Sequence, residues 1–205
     1  MMNYKITNCN ENFFLEHASE FTDLCVRAFA EHLEREVLME PCFMTEEKWK
    51  KWAKDCVGQC IFDKNNLVAF WMVRPDYLKK EADGRILAVS PEYKGKHLGQ
   101  FLTYSLLQYL RELGMNVFVT DTSAKAPHVV KFHKSYGCKA VGLTSWPNTN
   151  YYSVLLRKGL QPEFEITDKE AERMFKRSAI RCKLMLKENG CETLLKKVLK
   201  KLKRT

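Results

Sequence analysis

The chain lacks several features that would assign its class at once. No apolar run approaches the roughly 20 residues that cross a bilayer, and one of the longest, residues 67–73, is far too short. The start, Met1-Met2-Asn3-Tyr4-Lys5-Ile6-Thr7, has no basic segment followed by an apolar one. No secretory leader is read there, and a cytoplasmic protein is expected. The eight cysteines include no Cys-x-x-Cys pair and join no Cys/His cluster with zinc spacing, so no metal is expected. Several, such as Cys25 and Cys138, fall in or beside apolar stretches and read as buried reduced thiols. Neither Gly-x-x-x-x-Gly-Lys-Ser/Thr nor Gly-x-Gly-x-x-Gly after a strand is found, which argues against P-loop and dinucleotide-binding folds. Internal repeats and low-complexity segments are also missing.

What is there is an ordinary globular composition. Hydrophobic residues make up 45% and charged residues 29% of the 205, enough to bury a core without disulfides or metal. The net charge is +9, but residues 168–205 hold thirteen Lys/Arg against five Asp/Glu, leaving about +1 for the rest. The basic character therefore belongs to the tail and says little about the substrate of the main body. One domain over residues 1–160 with a basic helical extension over 161–205 is expected.

Hydrophobic periodicity predicts the elements. Residues 4–9 read as a strand. Residues 14–36 read as a helix, with Phe21, Leu24, Cys25, Ala28, Phe29 and Leu33 on one face. A second helix starts at Thr45, whose hydroxyl is placed to cap the first turn ahead of Glu46 and Glu47. Residues 59–62 and 67–73 flank the polar turn 63–66 as a hairpin. Strands are read at 85–89, 117–120, 140–143 and 151–156, and helices at 99–113 and 129–136, each helix followed by a glycine. That order suits a mixed α/β sheet with helices on both faces.

The segment Val89-Ser90-Pro91-Glu92-Tyr93-Lys94-Gly95-Lys96-His97-Leu98-Gly99-Gln100 is the informative one. An apolar strand runs into a proline, a basic glycine-containing loop and an amphipathic helix. A helix start offers backbone N–H groups without intrahelical partners and the positive end of the dipole. Gly95 and Gly99 allow close approach of phosphate oxygens, and Lys94 and Lys96 add charge. The competing reading is a plain strand–turn–helix corner with glycines for packing.

The segment resembles the acetyl-CoA signature of the GNAT acetyltransferase superfamily: a hydrophobic strand, Val-x-Pro, then Arg/Gln-x-x-Gly-x-Gly/Ala opening a helix. Val89-Ser90-Pro91 and Gly99 match, and Lys94 stands where Arg or Gln is usual. His97 replaces the middle glycine, a departure that bears on the backbone geometry there. A second match is Phe132-His133-Lys134-Ser135-Tyr136-Gly137-Cys138. It is similar to the family's Tyr-x-x-x-Gly-Phe, with His133 at the tyrosine position and Cys138 in place of Phe. The resemblance spans about residues 3–158.

The resemblance implies a mostly antiparallel central sheet of the GNAT acyl-CoA N-acyltransferase type. It implies acetyl-CoA as co-substrate, with pantetheine along Leu87, Ala88 and Val89 and the diphosphate at Lys94, Gly95, Lys96, His97, Leu98, Gly99 and Gln100. Direct attack by an amine in a ternary complex is implied, helped by a backbone N–H near Val89. His133 is the candidate acid, with Tyr136 behind it. Asp121 and Asp83 are candidate bases, beside a water chain to bulk. The acceptor, a small-molecule or protein amine, is expected between the helices of 14–57 and the loop 144–150. Glu34, Arg35, Glu36, Trp71 and Trp146 are candidates to line that pocket, but surface charge and core aromatics are the preferred reading. The alternative from another class is a non-catalytic acyl-CoA-binding module. The tail contains Leu184, Met185 and Leu186, then Leu194, Leu195, Val198, Leu199 and Leu202 at helical spacing, with Gly190 separating two expected helices. A helical hairpin docked on the domain or a dimer partner is preferred to membrane-surface contact, with the protein a monomer or homodimer. Nucleic acid is not an expected partner, because aromatics are nearly absent there.

Overall fold

The computed structural model describes residues 4–146 and 149–188, with side chains up to residue 182. Among these residues seven strands and six α-helices form a mixed α/β protein, divided into two compact units that meet in sequence between Phe118 and Val119.

In the first unit β1 (Lys5–Cys9), β2 (Val57–Asp63), β3 (Asn66–Asp76) and β4 (Glu81–Val89) pair in that order, each antiparallel to the next. Residues 67–73 of β3 are all buried, the continuous apolar run of a strand covered on both faces. Phe70 and Met72 enter a cluster with Phe14, Phe21, Leu24 and Trp49. Val68 and Ala69 enter another with Leu98 and Leu102. The β3–β4 register places Met72 opposite Ile86 and Val73 opposite Gly84, so Arg85 is the extra residue of a bulge.

The single helix read over 14–36 is two: α1 (Glu11–Glu16), capped by Asn10, and α2 (Ala18–Glu34). His17, at φ −104° and ψ 24°, breaks the run. The break leaves Phe14 in a last helical turn, where carbonyls have no intrahelical donor, and Trp49 Nε1 donates to the Phe14 carbonyl at 2.8 Å. Thr45 Oγ1 caps α3 (Glu46–Ala53) by accepting from Lys48 N at 3.3 Å. β4 starts four residues before its expected beginning, because pairing with β3 continues to Asp76 opposite Glu81. Asp83 therefore lies within β4 and not ahead of it. α4 (Leu98–Glu112) follows the loop after β4.

β5 (Val117–Ser123) starts beside the start of β4, with Asn116 N and Val117 N both donating to Lys80 O, at 2.7 and 3.2 Å. The second unit continues through α5 (Pro127–Ser135), β6 (Lys139–Thr144), β7 (Ser153–Gly159) and α6 (Asp168–Glu188). β7 lies between β5 and β6 and is antiparallel to β6, with Val141 the extra residue of a second bulge. α6 opens with a capping box. Glu170 N donates to Thr167 Oγ1 at 3.2 Å, and Thr167 N donates to Glu170 Oε2 at 2.8 Å. Ser178 on α6 accepts from Leu143 N at 2.9 Å and donates to Leu143 O at 2.8 Å. The helix thus satisfies backbone groups that β6 turns away from β7. The first part of the tail docks on its own chain in this way.

The side chains of Leu184, Met185 and Leu186 lie outside the described residues, as do Pro147, Asn148 and everything from Asn189 on, including Gly190, Cys191 and the basic leucine repeat. No described helix is long and apolar enough to cross a membrane. Described residues contain no group of three or more His, Cys, Asp or Glu side chains that could hold a metal ion. The seven described cysteines are buried and free.

Candidate functional site

The loop after β4 is built by main-chain bonds. Ser90 N donates to Val68 O at 2.8 Å, holding the strand end to β3. Pro91–Tyr93 form one 3-10 turn, closed by Tyr93 N donating to Ser90 O at 2.9 Å and Lys94 N to Pro91 O at 3.2 Å. Gly95 has φ +79°, and a Cβ there would meet nothing within 4 Å. The glycine is required by the sign of φ and not by crowding.

His97 also has a left-handed backbone, φ 61° and ψ 15°, and is the N-cap of α4. The residue that replaces the family's middle glycine thus adopts the conformation glycine favours. A side chain costs roughly 1–2 kcal/mol there, and His97 Nδ1 lies 2.6 Å from Gln100 Oε1. Phe101 N closes the first turn on His97 O at 3.0 Å. The amides of Leu98, Gly99 and Gln100 therefore open the helix without intrahelical acceptors.

One acid from α2 meets one of the two lysines at this opening. Lys94 Nζ lies 2.7 Å from Glu31 Oε2, and the Lys94 ammonium holds the Glu31 carboxyl below its usual range. Lys96 Nζ lies 4.1 Å from the centroid of the Tyr93 ring. Glu92 accepts from the buried Ser90 hydroxyl and lies 3.6 Å from Arg27 Nη1. Lys94, Lys96, His97 and Gln100 are exposed, whereas Leu98 is buried and anchors the helix start. A diphosphate suits this set: amides without intrahelical acceptors at the positive end of a helix, near two ammonium groups on the surface. On β4, Leu87 and Val89 are half-buried towards α4, and Ala88 is buried opposite Phe70.

The candidate acids and bases fall into different settings. In the second unit His133 is 6% exposed, and burial pushes its imidazole down to about 4. It is neutral at pH 7, with about one molecule in a thousand charged. Tyr136 is buried with its ring 4.9 Å from that of Phe132. Asp121 on β5 accepts from Trp146 Nε1 at 3.0 Å, and Trp146 is half-exposed. In the first unit Asp83 is half-exposed and its Oδ2 lies 3.1 Å from Arg85 Nη1. Glu34, Arg35 and Glu36 are surface charges, and Trp71 is a buried core ring 5.5 Å from Phe118.

Four groups carry interactions that the sequence reading passed over. They are Glu31 against Lys94, Arg27 against Ser90, Trp146 against Asp121, and the pair Arg74 and Arg85. The first three are long-range contacts with no local signature. Arg74 did leave one, since it follows the unbroken apolar run of residues 67–73.

Comparison with known proteins gives a consistent picture. Residues 19–138 match the family model described as "Acetyltransferase (GNAT) family". No curated protein matches the sequence. Among solved structures, an aminoglycoside 6'-acetyltransferase type Ii aligns over 77% of this chain and 98% of its own, at 17% identity and a TM-score of 0.61. The ribosomal-protein-S18-alanine N-acetyltransferase of Escherichia coli aligns over 78% and 95%, at 13% identity and a TM-score of 0.60. The PaiA N-acetyltransferase of Thermoplasma acidophilum, in complex with coenzyme A, aligns over 77% and 99%, at 13% identity and a TM-score of 0.56. At these identities the likeness is one of fold.

Proposed function

The chain belongs to the GNAT family of acetyltransferases, and from that premise we propose that it transfers an acetyl group from acetyl-CoA to a primary amine by direct attack in a ternary complex. The observation that carries this is the start of α4: three opening amides, presented by a left-handed His97 and flanked by Lys94 and Lys96. Leu98, Gly99 and Gln100 grip the diphosphate, and the Leu87–Val89 stretch of β4 guides pantetheine with backbone groups. Acetyl-CoA supplies the activated acetyl group, and the chain's work is to hold the two substrates in line. A β4 amide near Val89 hydrogen-bonds the carbonyl oxygen as charge builds there.

Asp83 or Asp121 accepts the amine proton. His133 holds the position of the proton donor, with Tyr136 second. The neutral imidazole of His133 favours one other reading, a non-catalytic acyl-CoA-binding module. In either case residues 161–205 are read as an extension of a body spanning 1–160, acting in a reducing cytosol.

Gly99→Asp separates binding from folding. An acid in the first turn of a helix favours the helix, so the Tm should hold or rise. The same carboxylate beside a diphosphate should weaken acetyl-CoA by more than about tenfold, on the order of 1.4 kcal/mol. Calorimetric titration with acetyl-CoA reads this, and unchanged affinity removes the loop from the site. CoA release across a panel of amines then decides between the two readings: binding without turnover on any amine selects the module.

A further inference from the structure

The first half of β4 carries a charged cluster that the coenzyme loop does not use. Arg85 is the extra residue of the β3–β4 bulge, a device that re-aims a side chain. It turns to the same side as Asp83, with Nη1 3.1 Å from Asp83 Oδ2. Its guanidinium carbon lies 4.9 Å from the centroid of the Trp52 ring on α3. From β3, Arg74 donates through Nη2 to the Trp52 carbonyl at 3.3 Å. Both guanidinium groups act electrostatically on the buried Cys56 thiol, so they converge on one neighbourhood.

Arg85 pairs with the Asp83 carboxylate, and Arg74 meets a main-chain carbonyl. The Nε atoms of both Arg74 and Arg85 are buried without an acceptor. The Arg85 side chain is still 26% exposed and that of Asp83 45%, so solvent, and a small molecule, can reach the pair. A partly desolvated cation costs stability unless an anion completes it. A planar guanidinium matches a carboxylate in two-point geometry. From Arg85 to Val89 is about 13 Å along one strand at ~3.3 Å per residue, within reach of an acceptor lying between the cluster and the thioester.

We propose that Arg85 and Arg74, braced on Trp52, bind a carboxylate of the acceptor, so that the substrate is a small amine that also bears a carboxylate. This rests on the acetyl-transfer reading. The incoming carboxylate takes the place of Asp83 on Arg85.

The test measures CoA release with amino acids paired against the amino alcohols of the same skeleton, whose amines have similar basicity. For each accepted pair the acid should show at least about tenfold higher kcat/KM, the scale of one charge-assisted hydrogen bond. Arg85→Gln should erase that preference through KM, Arg85→Lys should restore part of it, and acetyl-CoA affinity should stay at the wild-type value in both. Equal use of acid and alcohol, or an equal loss on both in Arg85→Gln, overturns the proposal. A direct measurement covers the case in which no pair is acetylated. Glutarate titrated into protein labelled with 15N-arginine should move, saturably at millimolar concentration, the Nε–H signal missing from the Arg85→Gln spectrum. A signal that does not move overturns the anion pocket, and failed acetyl-CoA binding with a moving signal overturns the transfer reading alone.

Discussion

His97 and His133 illustrate two ways in which one side chain adds free energy to the folded state. His97 accepts a left-handed backbone at the mouth of α4. His97→Gly removes that strain but loosens the unfolded chain, so a net gain of ~0.5–1 kcal/mol is expected, seen as a higher urea midpoint. Acetyl-CoA affinity should be retained, because the opening amides keep their positions. His133 is held neutral by burial, at about 4 against 6.5 for a solvated imidazole. Its folded value is lowered, so below 6.5 the unfolded chain binds a proton that the native protein refuses. Stability from this group is complete above about 6.5 and falls as pH drops, with the loss fully developed below about 4. The expected fall is about 3 kcal/mol, measured by urea unfolding across that window. His133→Gln should flatten the profile, and an unchanged slope would show that the imidazole takes its proton in the native state.

At the scale of elements, the strand–loop–helix unit was the most legible part of the sequence, because each of its requirements is local. Val89 ends an apolar strand, Pro91 turns the chain, Gly95 takes positive φ, and Leu98, Leu102 and Leu106 mark the buried stripe of α4. The Thr45 cap was legible for the same reason. The break at His17 was not, since Phe14 and Phe21 fit one continuous helix as well as two, and the bond from Trp49 to Phe14 joins residues 35 apart. The bulge at Arg85 was hidden because register belongs to two strands at once. The ion pair between Lys94 and Glu31 likewise joins a loop to a distant helix. It competes with any anion for the lysine. Glu31→Gln should therefore strengthen acetyl-CoA binding about two- to fivefold, within the ~0.2–1 kcal/mol of an exposed pair. Titration at low and high salt checks this, and the gain should shrink as salt screens the pair.

On the scale of the whole molecule, the family's α/β plan was readable from the order of elements, whereas the surface on which α6 docks was not. Its amphipathic pattern fixes an apolar face but names no surface for it. The structure supplies β6 as that surface through Ser178, and a Cβ on Gly142 would come within 2.8 Å of Ser178 Oγ, so the fit leaves no spare room. Ser178→Ala should cost about 1–2 kcal/mol by stranding the amide and carbonyl of Leu143, read as a lower Tm with acetyl-CoA affinity kept. The contact also guards against self-association. A protease cut in the connector between Gly159 and Asp168 would let α6 drift off and leave β6 as a raw border. Molecules so nicked could zip onto one another strand by strand, which makes the integrity of that short connector a practical criterion when the protein is concentrated or stored.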